Sequence, residues 1–326
     1  MFLEAREAAD AVRRQRSEAA PALREAGAAL RRLAPRAIVT CARGSSDHAA
    51  TYAKYLIETR LGVSVASAAP SVASLYGDAP DMRGSACIAI SQSGASPDLL
   101  ASAEAAKARG ALVVALVNQP GSPLAELADH VVPLSAGPET SIAATKSYIA
   151  TLSALLSLVV EWSGDWADAE ALPDLLDHAW ALDWSPLVDA LTAATSLYVV
   201  GRGIGLGVAQ EAALKLKEVC GLHAEALSAA EIRHGPMALV GPGFPVLLFR
   251  QNDESAAGID ALAADLKAMG ATVLTAGAEL PAIEAAPEVE PILQVQSFYR
   301  AAEALAFARG LDPDSPPHLA KVTETL

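Results

Sequence analysis

The chain has 326 residues, 52% of them apolar, so it can bury a sizeable core in one large domain or in two. Lys and Arg number 24 against 38 Asp and Glu, a formal net charge of −14, which argues against a general nucleic-acid surface and against an anionic membrane as partner. The apolar runs are broken by polar residues and the N-terminus mixes Glu, Arg and Ala, so neither a leader nor a membrane span is read and a soluble, cytoplasmic protein is expected.

Residues 1–35 read as a charged amphipathic helix or helix pair, an N-terminal helical arm closed by Pro35. Ala37–Cys41 is a short buried-strand pattern, followed by the polar turn Arg43–Asp47 and a helix through Leu61 that carries Tyr52, Tyr55 and Leu56 at helical spacing. The unit repeats at Ala86–Ile90, with the turn Ser91–Ser96 and a helix from Leu99 to Arg109. Leu112–Val117 and His130–Leu134 supply two further strands. Short apolar strands alternating with helices of a dozen residues predict right-handed βαβ units and a parallel sheet covered on both faces.

Ligands of such sheets bind at the carboxyl ends of strands, where Gly44–Ser46 and Ser91–Ser96 both fall. The second turn offers serine hydroxyls, the Gln92 amide and a glycine beside the positive end of a helix dipole. It reads either as a phosphate cradle or as an ordinary N-cap, with Ser96 the cap residue and Pro97 the first helical position.

Glu139–Lys146 opens a long apolar helix to about Trp162, and Gly164–Asp183 is an acidic, linker-like stretch. The pattern then restarts: Ser196–Val200 as strand, Gly201–Gly205 as turn, and Gly207–Val219 as helix. Ala42-Arg43-Gly44 and Gly201-Arg202-Gly203 each follow a strand and enter a helix, as an internal duplication would have it. Strands at Pro245–Phe249 and Thr272–Leu274 flank a helix at Gly258–Met269. A helix at Ser297–Arg309 and an extended tail from Asp312 to Leu326 follow. A dinucleotide fingerprint counted from Gly201 fails at Leu206, and no P-loop motif occurs.

Cys41, Cys87 and Cys220 form no CxxC pair and read as small core residues of a reduced protein. The histidines show no metal-ligand spacing, so neither metal nor cofactor is expected. Glu211, Lys215 and Glu218 share one helix face, as an exposed ion pair would, but between apolar flanks. His234 lies on a Gly-Pro turn, free to point into a cleft, and Lys321 follows an apolar dipeptide in the tail, where a solvated lysine is the ordinary meaning. Hydroxyl-rich turns in one half and carboxylate, histidine and lysine in the other fit sugar-phosphate chemistry by proton transfer.

These residues together resemble a known family. Gly44-Ser45-Ser46, Ser91-Gln92-Ser93-Gly94 with Ser96, Glu139–Lys146, Glu211–Glu218, His223-Ala224-Glu225-Ala226, Glu231–Pro236 and Leu319-Ala320-Lys321 occur in the order found in the sugar isomerase (SIS) half of glucosamine-6-phosphate synthase. The resemblance covers nearly the whole chain. It implies two tandem doubly wound, flavodoxin-like parallel-sheet SIS domains, three-layer αβα, at 36–164 and 184–310, with a C-terminal tail at 311–326 closing the active site.

No amidotransferase segment precedes Met1, so the expectation is a stand-alone enzyme similar to the SIS-type glucosamine-6-phosphate deaminases, which the Pro317–Thr325 ending also resembles. The resemblance implies that Ser91, Gln92, Ser93 and Ser96 hold the phosphate, with Ser45 and Ser46 on the phosphate or sugar hydroxyls and the backbone at Ile142 and Ala320 lining the sugar. Glu218 corresponds to the base moving a proton between C2 and C1, and His234 to the ring-opening residue supplied by a neighbouring subunit. Lys215 and Lys321 correspond to lysines near the reacting carbons. A homodimer with shared active sites follows from the same resemblance.

Ala95 stands where the synthase has an acidic residue and Ser96 where it has threonine, a departure that bears on substrate preference. Other phosphosugar aldose–ketose isomerases, a galactosamine-6-phosphate deaminase and a fructosamine-6-phosphate deglycase would use the same base and turn. A non-catalytic sugar-phosphate sensor is the reading from another class; the first 36 residues lack the helix-turn-helix such sensors carry.

Overall fold

A computed structural model describes residues 1–165 and 170–321. Five parallel strands, Ala37–Cys41 (β1), Ser64–Ser67 (β2), Ala86–Ser91 (β3), Leu112–Val117 (β4) and His130–Pro133 (β5), form one sheet in the order β2-β1-β3-β4-β5. Four more, Ser196–Gly201 (β6), His223–Ser228 (β7), Pro245–Leu248 (β8) and Thr272–Thr275 (β9), form a second in the order β7-β6-β8-β9. All strand pairs are parallel. Both sheets are thus doubly wound with flanking helices, as expected.

The central strands are continuous apolar runs because helices cover both of their faces. β3 is buried at every position, and Cys41, Cys87, Leu99 and Val113 share its core. The cysteines sit there as small core residues; burial lifts the Cys41 thiol to about 11 and the Cys87 thiol to about 12. In the second sheet Val200, Val246 and Leu248 pack against Ile259, Leu262 and Leu266 of the Ala256–Ala268 helix.

The chain divides into two compact units, one of Asp10–Glu139, Lys146–Ala167 and Ala320–Leu326, the other of Met1–Ala9, Thr140–Thr145 and Asp168–Leu319. Three helices, Phe2–Arg6, Ala8–Glu18 and Ala20–Leu33, replace the expected helix or helix pair, and the last packs closely rather than standing off as an arm. Leu23, Ala26 and Leu30 are buried, Gly27 lies so close to Glu161 that a Cβ would stand 2.8 Å from its Cβ, and Arg31 Nε donates to the Trp162 carbonyl at 3.1 Å.

Three expectations are corrected. The stretch read as a linker contains the helix Leu172–Ala181, whose Leu172, Leu176 and Ala179 are buried. The long apolar helix starts at Lys146, not at Glu139, and the helix expected from Ser297 begins at Glu290. Among the described residues no helix is long and apolar enough to cross a membrane. The expected tail runs past the described residues, since 322–326 lie outside them.

Candidate functional site

β1 and β3 are neighbours, while β2 and β4 lie on opposite sides of them, so the helices that follow leave for opposite faces. The gap this opens at the strands' carboxyl ends is where ligands of doubly wound sheets bind. The Ser45–Leu61 helix begins there with Ser45 and Ser46 in its first turn, and the Pro97–Ala108 helix begins there after Gln92–Ser96. Each N-terminus presents the positive end of its dipole, although in the Ser45–Leu61 helix the Ser46 and Asp47 N–H groups already donate to the Arg43 and Gly44 carbonyls.

The second turn is shaped by its own side chains. Gly94 N–H donates to Ser91 Oγ at 3.0 Å and Ala95 N–H to Ser93 Oγ at 3.4 Å. Gly94 has φ +64°, and a Cβ there would stand 2.1 Å from Ser122 Oγ, so glycine is required twice over. Ser96 holds the N-cap position and Pro97 the first helical one, as the cap alternative has it, but the Ser96 side chain makes no capping bond. Its hydroxyl remains available.

Two residues here escaped the sequence reading. Arg43 Nε and Nη2 lie 2.8 and 2.7 Å from Oδ2 of Asp98, tying the two turns together. Arg43 falls in a repeated Arg-Gly motif, but its partner is 55 positions away.

Lys321 is not a solvated tail lysine. Its Nζ lies 3.5 Å from Oε2 of Glu139, a buried carboxylate that also accepts from the Ser147 hydroxyl and, at 3.2 Å, from its N–H. Ala320 beside it is exposed.

In the other unit the helix Leu206–Cys220 carries Glu211, Lys215 and Glu218. It can start close to β6 because Gly201 has no Cβ; one would stand 2.5 Å from the Gly205 carbonyl oxygen and 2.9 Å from the Leu206 Cα. Lys215 is buried at 1% exposure, with Nζ 2.7 Å from Glu218 Oε2 and 3.2 Å from Glu211 Oε1. Tyr299 Oη donates to Glu211 Oε1 at 3.1 Å. The spacing that commonly marks an exposed pair here gives a buried one, in keeping with its apolar flanks. Burial works against the Lys215 charge, but the Glu211 and Glu218 carboxylates outweigh it and hold the ammonium above the usual lysine value. Glu218, its side chain 21% exposed, is the member of the array that reaches solvent.

His234 ends a 3-10 turn, Glu231–His234, and is exposed; Ile232 in the same turn is fully buried and fixes it. Tyr198 Oη donates to the next carbonyl but one, that of Pro236, at 3.0 Å. No hydrogen bond among the described residues joins His234 to Glu218. Ile142, half-buried, lies in the segment Thr140–Thr145. That segment is held by Glu4, whose carboxylate accepts from the Thr140 hydroxyl at 3.1 Å and the Ser141 N–H at 3.2 Å, and by Asp314, which accepts from the Ser141 hydroxyl at 2.8 Å.

The profile of the SIS domain matches residues 34–161 and 190–276. Glutamine--fructose-6-phosphate aminotransferase [isomerizing] of Thermococcus kodakarensis is 35% identical over 314 residues, covering 87% of this chain and 51% of that protein. The chain thus spans about half the length of the curated relatives it matches. A solved Silicibacter pomeroyi DSS-3 protein, provisionally described as a phosphosugar isomerase, is 41% identical with TM-score 0.91, over 95% of this chain and 98% of that one. A solved glucosamine-6-phosphate deaminase from Thermotoga maritima has TM-score 0.77 over 98% of this chain and all of its own; at 23% identity the likeness is one of fold.

Proposed function

Because the chain belongs to the SIS-domain family, we propose that it is a phosphosugar enzyme, and specifically a glucosamine-6-phosphate deaminase yielding fructose 6-phosphate and ammonia. The observation that carries this reading is Glu218: a carboxylate that reaches solvent, fixed at 2.7 Å by a lysine that is itself buried. Proton transfer between adjacent carbons needs one base held in one place, and a buried cation is a rigid mount.

In this reading the helix N-termini at Ser45 and Ser96, with Ser46, Ser91, Gln92 and Ser93, hold the phosphate, while the backbone at Ile142 and Ala320 lines the sugar. His234 opens the hemiacetal ring. Glu218 takes the C2 proton of the open-chain aldehyde, leaving an enolamine, and returns a proton to C1 to give the 2-imine of fructose 6-phosphate. Water adds to the imine carbon and ammonia leaves. Lys215, whose ammonium is occupied by two carboxylates, positions Glu218; Lys321, mounted on Glu139, supplies positive charge to the reacting oxygens. The exposure of His234 supports its donation to a neighbouring copy in a homodimer with shared sites.

The 41% identical relative favours a second reading, aldose–ketose isomerisation without loss of nitrogen. A panel of glucosamine, galactosamine and fructosamine 6-phosphates and of glucose 6-phosphate separates the two. Ammonia from the first substrate supports deamination, whereas ketose formation from glucose 6-phosphate with no ammonia from any amino sugar assigns the isomerase.

A further inference from the structure

The turns assigned to the phosphate offer neutral donors, namely serine hydroxyls, the Gln92 amide and backbone N–H groups. A phosphate monoester carries roughly −1.5 to −2 charges at pH 7. Across positions 42–47 and 91–98 the acidic side chains are Asp47 and Asp98, and the cationic one is Arg43. Asp98 is 1% exposed and sits in the first turn of the very helix whose N-terminus would face the phosphate. A buried carboxylate beside an incoming dianion is repulsive unless a cation stands with it.

Arg43 supplies that cation in a fixed pose. Nε and Nη2 both bind Asp98 Oδ2, while Asp98 Oδ1 has no hydrogen-bond partner among the described residues, so swinging Arg43 away would leave a buried carboxylate bare. The guanidinium is therefore pinned along one edge. Its side chain is 53% exposed, and Nη1 makes no hydrogen bond to the described residues. The planar fork of arginine suits this division, one edge for a carboxylate and the other for a phosphate oxygen.

We infer that Arg43 is the cationic phosphate ligand of this site, with Asp98 as its positioning residue. The inference rests on the reading that these turns hold a phosphate. The alternative is a strut that merely ties the two turns, and the two accounts differ in sign at Asp98. Asn at position 98 keeps an oxygen for Arg43 and removes the negative charge facing the ligand.

The experiment is calorimetric titration of the full chain with inorganic phosphate and with glucosamine 6-phosphate, using wild type, Arg43→Gln, Arg43→Lys and Asp98→Asn. The expected result is at least tenfold weaker binding of both ligands by Arg43→Gln, a smaller loss in Arg43→Lys, and binding by Asp98→Asn equal to or tighter than wild type. Arg43→Gln within twofold of wild type overturns the inference, as does weakening by Asp98→Asn. Should Arg43→Gln fail to fold, Asp98→Asn, which keeps an oxygen for Arg43, still decides by that sign. A wild type that binds neither ligand overturns the underlying phosphate reading; one that binds both while the variants behave as a strut overturns this inference alone.

Discussion

Ser96 stands where a helix cap would, yet its hydroxyl bonds to none of the first-turn N–H groups. Ser96→Ala should therefore leave the melting temperature unchanged while raising KM for the sugar phosphate about tenfold, the loss expected for one hydrogen bond to a charged acceptor. Because phosphate holding is largely uniform binding, kcat should stay within about threefold. A fall in melting temperature with unchanged KM would return the residue to capping. Lys215 behaves oppositely. Lys215→Met leaves Glu211, at 0% exposure, without its cation, and denaturant unfolding should show a loss of about 3–5 kcal/mol. A loss below about 1 kcal/mol would mean that the buried pair is not a mount for Glu218.

The elements show which kinds of structure a sequence reveals. Interior strands such as β3 and β4, buried along almost their whole length, were legible as unbroken apolar runs. The strands missed were β2 and β7, each at the edge of its sheet beside the first strand, with a single buried residue apiece among polar and partly exposed ones. The Leu172–Ala181 helix was missed because Asp174 and Asp177 face outward and give the stretch a linker's composition. Motif positions on turns were legible individually, since helix starts carry local signals. Contacts between elements, such as Arg43 with Asp98 or Lys321 with Glu139, leave no trace in local spacing.

The Thr140–Thr145 segment is tested through Glu4. Burial alone would raise the Glu4 pKa, but hydrogen bonds from Ser141 and Thr140 outweigh it and hold it below the usual glutamate range. Its contribution to stability is then present above the unfolded-state value, about 4.3, and is lost as pH falls through the lower folded value. The stability gap between wild type and Glu4→Gln, followed by urea midpoints, should be constant from pH 7 to about 5 and close at lower pH. A gap that persists unchanged to pH 3 would contradict the ionised clamp.

For the whole molecule, the family is established by a profile that matches both sheets, and the fold by a solved neighbour of TM-score 0.91. The reaction is the proposal. Shared sites in a homodimer predict that Glu218→Gln and His234→Ala, each inactive alone, recover up to about a quarter of wild-type activity when mixed under conditions of subunit exchange, since one site in four keeps both wild-type residues in a random mixture. No recovery, with exchange verified by tagged copies, would place both residues in one subunit's site.

Ammonia release from glucosamine 6-phosphate, measured side by side for the wild type and Glu218→Gln, tests proton transfer by Glu218 most directly. The account predicts stoichiometric ammonia and fructose 6-phosphate from the wild type, with kcat lowered about 10²–10⁴-fold in Glu218→Gln while the substrate still binds. No ammonia from the wild type, or release by Glu218→Gln at the wild-type rate, would contradict it.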